Sequence, residues 1–426
     1  MSSSYKVQKK NNLFSIIMTS IIIIWLSSPY LFRNVPNTVV VIIFGAWLVS
    51  NTQYFKRRVA ISPYFEVIAW MSFIIFYRVI GYSTSSWGNY YSQFFFWLFV
   101  FIFPIYSTEY SGKEQKFVLS IVWISAIINT ISNIVLLRIY PTAATDIYRE
   151  YGAMFLKMNI GGSNYSIFVL LFCFANIYVF LNTKNVGRKV FTTIVVAISL
   201  IYFLTIQKAT TFLILLIVLG LWGVRIITRK MNRQSKALFI IIMPLVILLF
   251  IFVGLPIITD MLSASGKYSE LVGRLEEISN ILFGSNYANA SISGSSRLSL
   301  MIQSLNVWLT NIKTFIFGVG DATREARDIS IVGAGMHSES LDCLARYGII
   351  GAILYFTALL KTFFSYSRRA GNKYLDYIYL GMFIYSFLNP LTSNANLGIF
   401  LFFVLPAIMA KDCNSGENNE KICNFS

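Results

Sequence analysis

The sequence predicts an all-α, polytopic membrane protein with about twelve transmembrane helices and one large helical outer loop between the ninth and tenth spans. Three observations carry this. The 426 residues are 56% hydrophobic and 16% aromatic but only 12% charged, about half the roughly 25% of a soluble domain. Apolar runs of bilayer-spanning length recur along the chain. The 35 basic residues outnumber the 18 acidic ones, for a net charge of +17, and they cluster in alternate connecting segments, as the positive-inside bias requires. A soluble chain this long would divide into two or three domains, with too few charges here to cover their surfaces. The hydrophobic content excludes disordered and collagen-like classes.

A helix needs about 20 apolar residues to cross the bilayer core. Leu13 to Phe32 is the first such run. It is too early and too long for a cleavable signal peptide, with no small-residue cleavage site after it, so it is expected to be retained. Asn34 and Pro36 end it, and Thr38 to Tyr54 follows. The next spans are Phe65 to Gly81, Tyr90 to Tyr106, Phe117 to Leu137, Gly162 to Leu181, Val190 to Ile206, Ala209 to Ile227 and Ala237 to Ile258. After the polar stretch Thr259 to Arg346, the pattern resumes with Tyr347 to Tyr366, Tyr374 to Leu388 and Asn396 to Ala410. The chain therefore divides into helices 1 to 9 over 1–258, the loop over 259–346, helices 10 to 12 over 347–410, and an Asn/Glu-rich cytoplasmic tail over 411–426. No repeat period is visible.

With both termini inside, 22 of the 35 basic residues fall in cytoplasmic segments, among them Lys56, Arg57, Arg58, Arg225, Arg229 and Lys230. The short outer loops hold only Arg33, Arg78, Arg138, Arg149, Lys157 and Lys208. In a soluble protein a charge of +17 would suggest nucleic acid. Here the excess is almost wholly topology, and no nucleic-acid partner is expected; the bilayer is.

No acidic residue lies near the middle of a span. Ion-coupled transporters place ionisable groups at the midplane, so their absence lowers that class. No Asp-x-Asp pair occurs, which weighs against a metal-bound nucleotide-sugar donor. The four cysteines have neither metal nor redox spacing. No metal and no cofactor is expected.

The outer loop runs nearly 90 residues, far beyond an ordinary connection, and such loops are usually functional. Amphipathic helical patterns occupy Leu271 to Leu282 and Leu298 to Ile312, followed by a turn at Gly318, Val319, Gly320 and Asp321. His337, the single histidine, begins a helix leading into the tenth span, with Glu339 and Asp342 within two turns. A lone loop histidine is commonly structural. Beside a carboxylate, an imidazole is held in one tautomer and made more basic, as the deprotonation of a hydroxyl requires. Glu339 faces another side of the helix and either pairs with Arg346 or acts independently. A second constellation is cationic: Arg78 and Arg138 at outer span ends, Lys208 in the Gln-Lys-Ala-Thr-Thr turn, and Arg297 after Gly-Ser-Ser. These suit a pyrophosphate at the membrane surface, with snorkelling to lipid headgroups the alternative for Arg78 and Arg138.

At these residues the sequence resembles the O-antigen polymerase and ligase superfamily, and more closely the Wzy-type polysaccharide polymerases. RLSLMIQSLNVWLTNIKTFIFGVG from Arg297 is similar to the family's Arg-led helix ending in Gly-x-Gly. HSESLDCLARYGIIG from His337 resembles its His-led helix, and LTIQKATTFLIL sits where the family has a Ser-Arg or similar basic turn. MNIGGSNYSIF from Met158 weakly echoes an Asn-containing turn. Lys208 departs from the pattern, keeping the charge without the bidentate fork. The resemblance implies metal-independent, inverting glycosyl transfer on the outer face of the bacterial cytoplasmic membrane. The substrates would be undecaprenyl-pyrophosphate-linked oligosaccharides, and a chain-length regulator would be a possible partner. Carried over, His337 with Glu339 would serve the acceptor hydroxyl, and Arg297 and Lys208 would stabilise the departing pyrophosphate. The nearest alternative is an O-antigen ligase acting on lipid A core. The alternative of another class is a flippase, which predicts a two-half repeat and no long outer loop.

Overall fold

The computed structural model describes residues 13–52, 63–82, 87–146, 153–162, 164–229, 231–232, 234–235, 254–264, 297–320 and 338–409. Among them the regular structure is entirely helical, as apolar segments require when no water is present to satisfy backbone groups. The helices are α1 (Leu13–Ser27), α2 (Pro29–Asn34), α3 (Asn37–Ser50), α4 (Tyr64–Val79), α5 (Trp87–Glu109), α6 (Gly112–Ile139), α7 (Tyr165–Asn182), α8 (Val186–Ile206) and α9 (Ala209–Thr228). They continue with α10 (Leu255–Ala264), α11 (Arg297–Leu309), α12 (Ile312–Phe317), α13 (Glu339–Ala370) and α14 (Lys373–Leu388). A π-helical segment, Ile399–Val404, runs into α15 (Leu405–Met409).

Five of these are long and apolar enough to cross a membrane: Gly112–Ile139, Tyr165–Asn182, Val186–Ile206, Thr210–Thr228 and Glu339–Ala370. Leu13–Ser27, Thr38–Ser50, Tyr91–Ser107 and Ile399–Met409 are apolar helices shorter than a full crossing that fall on four of the other expected spans. The expected ninth span lies outside the described residues except for its end. There α10 passes Ile258 without a break and runs to Ala264. His337, the loop helix expected at Leu271 to Leu282, and the tail also lie outside them.

α13 packs against α4, α11, α12 and α14; α14 packs on α9; α1 packs on α3 and α6; and α8 packs on α6 and α7. The π-helical segment threads the centre, with every side chain from Ile399 to Leu405 fully buried. Phe402 stacks on Trp97 (ring centroids 5.4 Å apart, planes 13° apart). Tyr379 donates its hydroxyl to the Leu401 carbonyl at 3.0 Å, supplying a donor where the wider helix loosens the normal ladder.

α13 is not one continuous helix. Gly348 takes φ 62°, ψ −167° and separates a short leading segment from the membrane-length run after it. A break there orphans the carbonyls of Ala345 and Arg346, which an unbroken helix would bond to residues 349 and 350. Val319 N–H and Gly320 N–H donate to them instead, at 2.9 and 2.8 Å. The contact is backbone on backbone. A Cβ on Gly348 would lie 2.2 Å from the Ile316 carbonyl oxygen, and one on Gly318 would lie 2.3 Å from that of Arg346.

Gly348→Ala is therefore expected to lower the thermal unfolding temperature in detergent: left-handed backbone costs a non-glycine residue about 1–2 kcal/mol, and the clash adds to that. Gly45→Ala, where an added Cβ meets nothing within 4 Å, is expected to leave it unchanged or raised. Equal melting temperatures for the two variants, by fluorescence-detected size exclusion, would contradict the close backbone crossing at Gly348.

Candidate functional site

The end of the bundle where α13 begins is assembled by polar contacts between segments distant in sequence. Ser338 caps α13, its hydroxyl accepting from Leu341 N–H at 3.2 Å, so the cap directly follows His337 in sequence and the helix begins at Glu339. Glu339 turns inward. Its carboxylate accepts from Leu391 N–H at 3.1 Å and from the Thr392 hydroxyl, which ties the start of α13 to the turn after α14. Ser340 and Ser386 share a hydrogen bond at 2.9 Å between the same two helices.

One turn further, Asp342 is buried. The Ser304 hydroxyl donates to its Oδ1 at 2.7 Å, which fixes α11 against α13, and Arg346 Nη2 stands 3.9 Å from its Oδ2. Arg346 thus approaches Asp342 and also lowers the cost of charge on Glu339 electrostatically. Both carboxylates precede the Gly348 break, outside the membrane-length part of α13. Burial raises the Glu339 carboxyl above its usual range against the opposing effects of Thr392, Arg346 and Leu391. Burial likewise pushes Asp342 up to about 6, with Arg346 and Ser304 opposing.

Arg78 sits at the end of α4 beside this group. Its neighbour Tyr77 donates a hydroxyl to the Phe317 carbonyl at 3.0 Å, and Tyr82 donates to Gly318 O at 2.9 Å. Arg297 is the first residue of α11; its side chain lies outside what the structure describes, as does all of His337. Lys208 is half-buried, next to Gln207, whose φ of 52° makes the turn between α8 and α9. Trp222 donates to Tyr374 O at 3.1 Å, and Gly381 meets Val218 and Ile214. This antiparallel register brings Lys208 level with the end of α14, the turn that Glu339 holds.

A second polar group lies on the other flank of Lys208. Three residues on, Thr211 shares a hydrogen bond with Ser166 at 2.6 Å, at the start of α7. The turn before α7 is held from two sides. Asn159 Nδ2 donates to Asn129 Oδ1 at 2.8 Å and its own Oδ1 accepts from Tyr30 N–H at 3.1 Å. Asn133 accepts from Gly161 N–H, and Arg33 donates to Ile160 O at 2.7 Å. Arg138 is exposed at the end of α6, which packs on α1 and α8 rather than on α13. The structure thus brings Glu339, Arg78, Lys208 and the start of α11 to one end around α13 and α14, with Arg138 on a separate flank.

Several residues of this end were not singled out by sequence: Asn129 and Asn133, Asn159, Ser304, Tyr77, Tyr82 and Thr392. A signal existed for two of them, since Asn129 and Asn133 are polar residues four apart in an apolar run, and such residues face inward. Among the described residues no cluster of His, Cys, Asp and Glu could hold a metal ion. No family model matches the chain, and no curated protein or solved structure matches it either.

A carboxyl whose native pKa lies above its unfolded value binds more protons folded than unfolded, so stability falls as pH rises between the two values. For Asp342 that window runs from the ordinary carboxylate range to about 6. The unfolding temperature is expected to fall across this window in the wild-type protein and to fall less in Asp342→Asn. The same slope in both proteins would show that the Asp342 carboxyl is not raised.

Proposed function

We propose that the protein is a polysaccharide polymerase of the bacterial cytoplasmic membrane, a glycosyltransferase with twelve spans and both termini inside. It joins undecaprenyl-pyrophosphate-linked repeat units on the outer face by metal-independent, inverting transfer. The observation that carries this reading is a convergence. The helix led by Arg297, the start of α13 just after His337 in sequence, the Lys208 turn and the Asn159 turn carry the family-like stretches, and these described segments lie toward one end of the bundle.

The chemistry fits that grouping. Glycosyl transfer from a pyrophosphate needs prepositioned cations where leaving-group charge develops, and Arg78, Arg297 and Lys208 belong to the segments at this end. The acceptor hydroxyl needs a base with a pKa near the working pH, the role of His337. Glu339, whose carboxylate is taken up by Leu391 and Thr392, acts by fixing the helix start next to His337. A lipid-borne substrate has its phosphate at the interface, which is why a membrane protein does this work. The substrate's lipid carrier and the bilayer are the partners of this reading, together with a chain-length regulator.

Deletion of the gene followed by glycan analysis tests the activity. Single repeat units on the surface are expected. Long chains stranded on the lipid carrier would point instead to a ligase, and units trapped on the inner side to a flippase. At residue level, His337→Ala is expected to abolish chain growth at unchanged protein level, Arg297→Ala to cripple it, and Lys208→Arg to be tolerated. Normal-length polymer from His337→Ala would remove the base assignment, and full activity in Arg297→Ala would remove the pyrophosphate site.

A further inference from the structure

The α11–α12 hairpin has an outward side that packs on none of the described helices. Its most exposed large side chains flank the tip: Leu309 is 61% exposed and Ile312 72%, with Ile302 and Phe317 also exposed. In an aqueous loop such residues would stand in water without purpose, and α11 is too short to cross a bilayer.

Two independent observations say what covers them. The first is depth. Phe317 O and Gly318 O accept from Tyr77 and Tyr82, so α12 is fastened to the last turn of α4. The exposed face of α4 beside that contact is Phe76, Val79 and Ile80, a lipid-facing stripe of the apolar bundle. Through the Tyr77–Phe317 contact this stripe adjoins the hairpin's apolar edge at Phe317.

The second is the tip itself. Irregular backbone tolerates a lipid environment only when its polar groups are satisfied from within. Here they are. Thr310 N–H donates to Val307 O at 3.4 Å and the Thr310 hydroxyl to Asn306 O at 2.8 Å. Asn311 and Thr314 cap one another, with Asn311 N–H donating to Thr314 Oγ1 at 3.1 Å and Thr314 N–H to Asn311 Oδ1 at 2.9 Å. The Trp308 indole donates to Phe315 O at 3.0 Å while its ring stacks on Phe315. Lys313, the charged residue of α12, turns back so that its ammonium stands 5.9 Å from the centre of the Tyr82 ring, the behaviour of a snorkelling lysine.

We propose that the α11–α12 hairpin is an interfacial anchor, with Leu309, Ile312 and Phe317 inserted among the acyl chains of the leaflet on the site's side. Insertion there sets the depth of Arg297 and of the Gly318–Gly320 turn relative to the lipid phosphates. The proposal rests on the membrane placement of α4 and not on the glycosyl-transfer reading.

The test uses the full chain in phosphatidylethanolamine–phosphatidylglycerol vesicles, with the tail residues Cys413 and Cys423 changed to serine. Cys173 and Cys343 are buried, and the protein without an added cysteine supplies their background. Spin labels are placed singly at Leu309→Cys, Ile312→Cys and, as the lipid-facing reference, Val79→Cys. Collision with oxygen is expected to exceed collision with a water-soluble nickel chelate at all three. Nickel exceeding oxygen at either hairpin position would overturn the anchor. So would dipolar broadening between labels, which would mean that a second copy of the chain covers the edge. A water-exposed Val79 would overturn it through the placement of α4, whereas a deletion strain with unaltered glycans would overturn only the function reading.

Discussion

The site end depends on one backbone contact, the repair of a broken helix by a glycine turn. Breaking α13 at Gly348 leaves two carbonyls without partners in an apolar surrounding, where each unsatisfied group costs several kcal/mol. Val319 and Gly320 supply the missing donors, and they reach them only because Gly318, Gly320 and Gly348 carry no Cβ at the crossing. Tyr77 and Tyr82 then close the other side of the same turn. Loss of any one glycine would separate three elements at once, so the turn, the break and the end of α4 form a single structural unit.

The break also has a use. It turns the leading segment of α13 away from the membrane-length run, so that Glu339 reaches the turn after α14 while Asp342 faces α11. Carboxylates near a helix start are favoured by the macrodipole and by the unpaired N–H groups there. Burial works against them, and for both residues it prevails. Neutral donors from Thr392, Leu391 and Ser304 make these carboxylates tolerable without a full ion pair for each. They therefore act as fasteners among α11, α13 and α14.

Much of this was legible in the sequence and some was not. The apolar runs from Gly112, Tyr165, Val186, Thr210 and Glu339 announce themselves by length and hydropathy, and Gly318-Val319-Gly320 reads as a turn at once. The break at Gly348 does not, because YGIIGAILYF continues an apolar helical pattern and the glycine's left-handed φ depends on a partner about 30 residues upstream. The role of Glu339 is hidden for the same reason: its acceptor sites are filled from positions 391 and 392, and only the fold brings them together. Sequence periodicity reports which face of a helix is apolar; it does not report which distant backbone group will meet a carboxylate. The Asn129–Asn133 pair was visible and passed over, since a polar residue within an apolar span carries information in proportion to its cost there.

The charge balance of the site end follows from these fasteners. Arg78, Lys208, Lys313 and Arg346 belong to the segments around α13 and α14, whereas burial raises the carboxyls of Glu339 and Asp342, the latter to about 6. Raised carboxyls take up protons as the pH falls toward about 6, and the local potential becomes more positive in that direction. Low-dielectric surroundings reduce screening and extend that field. In the glycosyl-transfer reading proposed above, such cations would attract an anionic headgroup whatever its chain, so selection among lipid-linked substrates would lie in contacts other than charge.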